Sequence, residues 1–343
     1  MSAREDVSVL AAGPSATAEP GGGAPTLEAV GLRKQYGRVT ALESFTFAAH
    51  AGEIVGVLGP NGAGKTTALR VLTTILRPTA GSFSVMGVPH TRPGGIRARV
   101  GMLPESAGYP LQQTAAEYLT YHGRLYGRSR ASARATADAL LGEVGLGDRS
   151  SSLIASFSRG MRQRLGIARA LVNNPAVVFL DEPTLGLDPA GRRQVLRTVA
   201  DIAHDRGATV LLSTHLLGDV EEICDRAVIL HHGRIAAEGT VAEIVRQAAA
   251  PRRLRMRVAA PERARAVSVL AALPGVAAAG PGGATDTDRD ALGVVLECPD
   301  QERLDRLVAD AVDALARAGI TPLAFELEGA RLDDAFLALT ERA

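Results

Sequence analysis

The chain has 343 residues, with 38 Lys or Arg against 37 Asp or Glu, for a formal net charge of +1. That balance supplies no overall positive field for nucleic acid, and 3% aromatics without Trp leave little for a base-stacking surface. The length suits about two domains of roughly 150 residues each, and no run approaches the roughly 18 to 20 apolar residues of a membrane helix.

The first 25 residues, ending in "GPSATAEPGGGAP", are rich in Pro, Gly, Ala and Ser and read as a disordered leader. Their apolar stretch is too weak for a signal peptide. Ordered patterning begins at Leu27. "SFTFAAHAGEIVGVLG" holds two short strands around a turn at 50–52. "KTTALRVLTTILRP" has helical spacing and is expected to run until Pro78. "GSFSVMG" and "RARVGML" read as further strands.

Between these two predicted elements and the next strand the texture turns helical, in "AEYLTYHGRLYG" and "ASARATADALLGEVGL". Strands return in "AVVFLDEP" and "ATVLLSTH", separated by the helical "GRRQVLRTVADIAHD". Continuous apolar strands alternating with helices predict an α/β fold, its parallel sheet covered on both faces. "TVAEIVRQ" opens with a capping box, Thr240 and Glu243. After "AAAPRRLRMRV" the pattern reads strand, helix, strand, Gly-rich turn ("GPGGATD"), strand, helix, strand, helix. This predicts a small α+β domain of ferredoxin-like type over residues 252–343. Cys224 and Cys298 form no C-x-x-C and read as free thiols of a cytosolic protein. His231 and His232 read as a strand-end turn rather than as metal ligands.

The chemistry starts at "GPNGAGKT", residues 59–66, which fits G-x-x-x-x-G-K-[ST] between a strand and a helix. Glycines let such a loop curl so that several N–H groups face one anion, and the helix N-terminus adds partial positive charge. Lys65 can reach the β- and γ-phosphates of a nucleotide, and the Thr66 hydroxyl can ligate Mg²⁺. The chain has only two lysines, Lys34 and Lys65, among its 38 basic residues. An ammonium on a flexible stem follows a moving phosphoryl group where a broad guanidinium would not fit. The strand "AVVFLDEP" then delivers Asp181 toward the metal, through water, and Glu182 to polarise an attacking water. These residues alone describe an ATPase or a GTPase.

"FSRGMRQRLGIARAL", from Phe157, resembles the signature of ABC-type ATPases, and the order of the motifs around it is similar to that family from about Leu27 to Gln247. The resemblance implies an ABC-type P-loop NTPase fold over residues 26–248: a RecA-like core sheet, an antiparallel β subdomain, and an inserted helical subdomain at about 114–175. It implies that Tyr36 stacks on adenine. Gly59, Pro60, Asn61, Gly62, Ala63, Gly64, Lys65, Thr66 and Thr67 would hold the nucleotide. Ser158 and Gly160 of the signature would meet a nucleotide held by another subunit, and Asp188 of the D-loop "LGLD" would also bind nucleotide. His215, ending "STH", would be the switch histidine beside the catalytic Glu182. Thr66, Glu105 and Asp181 would form the Mg²⁺ site.

Two positions depart from the family pattern. Arg159 stands where the signature has its first glycine. Glu105, in "GMLPESAGYP", stands where the Mg²⁺-sensing loop has Gln, and a carboxylate cannot donate a hydrogen bond as Gln does. These variants and the ending "ARLDDAFLALT" resemble the drug-export branch of daunorubicin-resistance type. That branch implies a homodimer, or a paired ATPase subunit, with ATP at the interface. It also implies a separately encoded integral-membrane permease and a peripheral place on the cytoplasmic face of the membrane, with nucleic acid not expected as a partner. An importer ATPase, a soluble ABC ATPase acting on ribosomes or DNA, and a P-loop kinase or GTPase are the competing expectations.

Overall fold

A computed structural model describes residues 23–248, 252–281, 291–296, 301–328 and 332–341. The leader up to residue 22, Cys298 and most of the Gly-rich turn therefore lie outside the described residues.

In chain order, β1 (Leu27–Tyr36) and β2 (Val39–Ala49) pair antiparallel, and β3 (Ile54–Leu58) leads through the glycine loop into α1 (Lys65–Leu72). Then come β4 (Ala80–Val85), β5 (Val88–Pro89), α2 (Pro93–Arg97) and β6 (Val100–Leu103). The helical block holds α3 (Ala115–Leu125), α4 (Arg130–Glu143) and α5 (Arg159–Leu171). Next are β7 (Val177–Asp181), α6 (Pro189–Arg206), β8 (Thr209–Ser213), α7 (Leu217–Ile223), β9 (Arg226–His231), β10 (Arg234–Gly239) and α8 (Val241–Gln247). The C-terminal part holds β11 (Arg252–Arg257), α9 (Arg263–Ala271), β12 (Val276–Pro281), β13 (Ala291–Leu296), α10 (Gln301–Arg317), β14 (Ala324–Glu328) and α11 (Leu332–Glu341).

Ten strands make one sheet, ordered β5-β4-β1-β2-β10-β9-β3-β8-β7-β6. The stretch β9-β3-β8-β7-β6 is parallel, and every residue of β3, β7 and β8 is buried. Alternate side chains feed two cores. Val178 and Leu180 pack with the helical block, whereas Val177 and Phe179 pack with α1 and the antiparallel strands. Both faces of a parallel sheet must be covered in this way, which is why these strands are apolar at successive positions. All five strands point their C-terminal ends at the same edge, so the glycine loop, Asp181 and Ser213 come together there.

Two elements differ from the sequence expectation. The first helix stops at Leu72 rather than near Pro78: the Thr73 hydroxyl bonds back to Leu69 O (2.7 Å) and Thr74 turns to φ 62°. A run of β-branched residues (Thr73, Thr74, Ile75) disfavours continuing the helix. The strand expected across "RARVGML" begins only at Val100, because Pro93 at the N-terminus of α2 starts a short helix first. The capping box of Thr240 and Glu243 forms as expected. His231 closes β9 and His232 turns at φ 46° into β10.

The helical block rests on the sheet edge through glycines. A Cβ at Gly101 of β6 would lie 2.0 Å from Ala170 O of α5. Gly101→Ala is therefore expected to force helix and strand apart and to cost about 1–3 kcal/mol of stability. A lowered denaturation midpoint checks it; an unchanged midpoint would show that α5 shifts without penalty.

The C-terminal strands form a separate antiparallel sheet ordered β12-β13-β11-β14, backed by α9 and α10 around Leu254, Met256, Val294 and Leu315. Numbered within that unit, the strand order is 4-1-3-2 with helices after the first and third strands, the ferredoxin-like arrangement. The last helix does not join that sheet. Leu332 and Ala335 of α11 pack with Val220, Ile229 and Ile244 of the first domain, and Leu332 N donates to Glu221 Oε1 of α7 (3.2 Å).

Candidate functional site

The loop between β3 and α1 is shaped by backbone that only glycine adopts easily. Gly64, the N-cap of α1, has φ 109°, and a Cβ there would lie 2.5 Å from Ala41 O. Lys65 follows at once, 7% exposed, and its ammonium donates to Gly59 O (2.7 Å) and Pro60 O (3.3 Å). Burial lowers the Lys65 pKa, opposed by the carboxylates of Glu182, Asp181 and Glu105. The loop's own carbonyls thus hold a cation at the mouth of a helix N-terminus, ready to be claimed by an anion.

Asp181, at the end of β7, is 1% exposed and accepts hydrogen bonds from Thr66 Oγ1 (3.2 Å) and Ser213 Oγ (2.5 Å). Glu182 is the next residue and takes φ 50°, uncommon for a side chain with a Cβ. Its N–H donates to Ser213 O (3.0 Å), and its Oε2 lies 2.8 Å from His215 Nδ1. The conformation costs about 1–3 kcal/mol and turns the carboxylate out of the sheet toward the loop.

A cavity of about 570 Å³ opens here. Asn61, Gly62, Ala63, Gly64, Lys65, Thr66, Thr67, Glu105, Glu182 and His215 line it, so most of the expected residues share one space. Asp181 stands behind Thr66, and Gly59 and Pro60 stand behind Lys65. Ala41, which carried no signal in the sequence, and Leu185, which opens "LGLD", also line the cavity.

The remaining expected residues do not line it. Tyr36 is 45% exposed on the antiparallel part of the sheet, with Lys34 Nζ 5.1 Å from its ring centre and anchored on Arg77 O (2.9 Å). Ser158 caps α5 by accepting from Met161 N (3.2 Å), and Asp188 caps α6 by accepting from Gly191 N (3.3 Å). Gly160 lies in the first turn of α5 near Leu187. The Arg159 guanidinium lies against Gly186: a Cβ there, at φ 69°, would be 2.7 Å from Arg159 Cζ. The departure from the usual signature thus tucks against the loop that carries Asp188.

The oxygen set suits a hard divalent cation. Thr66 and Ser213 hydroxyls converge on one oxygen of a buried carboxylate. Among the described residues no three His, Cys, Asp or Glu side chains could hold a metal by themselves. A cation such as Mg²⁺ is commonly held in that incomplete way, its shell filled by phosphate oxygens and water.

Sequence reasoning missed a cluster beside this site. Asp219 of α7 is fully buried and accepts from the Thr184 hydroxyl and from Arg192 Nε. In "LLGDVEEI" it is one acid among three, with no local sign that it alone turns inward.

The sequence profile described as "ABC transporter" matches residues 42–185, and that of an AAA domain matches 153–218. The chain is 39% identical over 316 residues to the daunorubicin/doxorubicin resistance ATP-binding protein DrrA of Streptomyces peucetius, covering 92% of each chain. It is 39% identical to the Nod factor export ATP-binding protein I of Paraburkholderia xenovorans (strain LB400), over 62% of this chain and 70% of that protein. A solved ATP-binding subunit of an ABC transporter superposes with TM-score 0.59 at 36% identity, covering 65% of this chain and 92% of its own. A dimeric ATP-binding cassette with bound ADP and Pi shares the fold, with TM-score 0.57 at 24% identity, over 62% of this chain and 98% of its own.

Proposed function

This chain belongs to the ABC transporter family of ATP-binding proteins, and on that footing we propose that it is the ATP-hydrolysing subunit of an exporter that drives a separately encoded membrane permease. The observation that carries the export reading is the reach of one likeness: similarity to a drug-resistance ATP-binding protein spans 92% of both chains. Drug, antibiotic or other hydrophobic cargo is the class that follows. Among the described residues no helix is long and apolar enough to cross a membrane. The proposed place of this chain is peripheral, at the cytoplasmic face, with the permease spanning the membrane.

ATP occupies the cavity, its phosphates under the loop N–H groups of residues 61–67. The Lys65 ammonium exchanges the Gly59 and Pro60 carbonyls for β- and γ-phosphate oxygens. Thr66, Asp181 and Glu105 would hold Mg²⁺, which offsets phosphate charge when bound. Glu182 draws the proton of a water attacking the γ-phosphorus while the bond from that phosphorus to the bridging β-phosphate oxygen breaks and ADP leaves, and His215, on Glu182 Oε2, keeps that carboxylate aimed. Tyr36 stacks on the adenine.

Ser158, Gly160 and Asp188 do not line this cavity, which fits a role toward a nucleotide held by a second copy. Two chains, or this chain and a similar subunit, close over ATP head to tail and reopen after hydrolysis. The permease follows that cycle.

Affinity isolation of the tagged full chain from solubilised membranes tests the transport reading. A multi-span membrane protein should come with it, and ATPase activity should rise in the complex. Recovery with ribosomes, and with no membrane protein, would remove the exporter reading while leaving the ATPase.

A further inference from the structure

Both carboxylate oxygens of Asp219 are engaged, and they tie three segments together. Oδ2 takes the hydroxyl of Thr184, two residues past Glu182. Oδ1 takes Nε of Arg192, on the first turn of α6. Asp219 itself lies on the first turn of α7, four residues past His215, and is 0% exposed. Gly218 leaves room for the contact, since a Cβ there would come 3.0 Å from Arg192 Nη2.

Glu182 depends on such a hold. Its φ of 50° is not one a glutamate keeps unaided. On its N-terminal side the N–H is fixed to Ser213 O. On its C-terminal side the nearest side-chain anchor is Thr184, on Asp219. His215 enters α7 across a turn in which Leu216 N donates to Thr214 Oγ1 (3.0 Å). Both halves of the 2.8 Å Glu182–His215 contact therefore hang from one carboxylate, the first through Thr184 and the second through α7.

We infer that Asp219 is a positioning residue for ATP hydrolysis, holding Glu182 and His215 in register through Thr184 and α7. The inference rests on the reading of Glu182 and His215 as the hydrolytic pair. A misplacement of about 1 Å at a reacting group costs up to about 10²-fold in rate, and the anchor is two residues from one.

The test uses the purified full chain. Thr184→Val removes the hydroxyl donor while Arg192 still partners the buried carboxylate, so folding is spared; Asp219→Asn is the harsher companion. Steady-state kcat and KM for ATP, and equilibrium binding of a fluorescent ATP analogue, are measured for each. Thr184→Val should lower kcat by about 10- to 100-fold with KM and analogue affinity within about twofold, and Thr184→Ser should restore it. In a His215→Ala background, Thr184→Val should cost little more, because the pair it aligns is already broken.

Parental kcat in Thr184→Val overturns the inference. So does an equal loss in both backgrounds with analogue-binding sites lost in proportion, which is the mark of misfolded chain. If the parental chain binds the analogue but hydrolyses no ATP, the hydrolytic reading of Glu182 and His215 fails, and the positioning role fails with it.

Discussion

Glu182→Gln is expected to leave ATP bound and to slow its hydrolysis by about 10²–10⁴-fold, the range typical of a lost general base. Gln has nearly the same shape and can still meet His215 Nδ1 across the 2.8 Å contact. The backbone hold from Ser213 O does not involve the side chain at all. What disappears is the negative oxygen that the proposed mechanism uses to take a proton from water. A side effect follows from the same change. With hydrolysis stalled, ATP stays where it favours closure of two chains, so the variant should elute as a dimer in the presence of ATP and Mg²⁺ while the parental chain does not. Parental turnover in Glu182→Gln would transfer the base role to another group, and Glu105 on the same cavity would be the next to replace.

The second large effect is expected from a substitution that conserves charge. Lys65→Arg should impair ATP hydrolysis by on the order of 10²-fold, nearly as badly as Lys65→Ala. Lys65 is 7% exposed, and its ammonium donates to two carbonyls of its own loop, Gly59 O (2.7 Å) and Pro60 O (3.3 Å). A guanidinium brings three nitrogens in a plane and cannot point a single donor down that stem. Burial already lowers the Lys65 pKa, and the three nearby carboxylates only partly oppose it. A larger cation there must keep its charge with less solvent. Lys65→Ala should additionally weaken nucleotide binding, read as a rise in the Kd of a fluorescent ATP analogue. Equal activity of Arg and Lys at this position would show that charge alone suffices.

The parts of the site legible in the sequence are those set by neighbours along the chain. Gly64, Lys65 and Thr66 are adjacent, as are Asp181 and Glu182, and the fold needs only to bring two strand ends together. The parallel core was legible for the same reason: β3, β7 and β8 are buried at every position because both faces are covered, and their central residues form continuous apolar runs. The Asp219 cluster was not, since its partners lie 35 and 27 residues away and nothing distinguishes Asp219 from Glu221 or Glu222 beforehand. The end of α1 is not legible, because the helical period of the sequence continues past Thr73 while its hydroxyl already turns back on Leu69 O. The motif resemblance already directed Ser158 and Gly160 toward a nucleotide of another subunit, but nothing in the motif order signalled that Tyr36 stands apart from the cavity.

The C-terminal strands could be expected to form a ferredoxin-like sheet, but the destination of α11 could not. It returns to rest against α8, the very helix from which the chain departs. Entry and exit of the small domain are thus clasped side by side, and the intervening segment is a closed loop rather than a pendant tail. A pendant tail can swing about one hinge in any direction. A loop shut at its base has no such single hinge, and its base is fastened to α7 as well, through Leu332 N on Glu221 Oε1. Because all four strands of the small sheet precede α11, unfastening the clasp would release the loop without removing a strand from it.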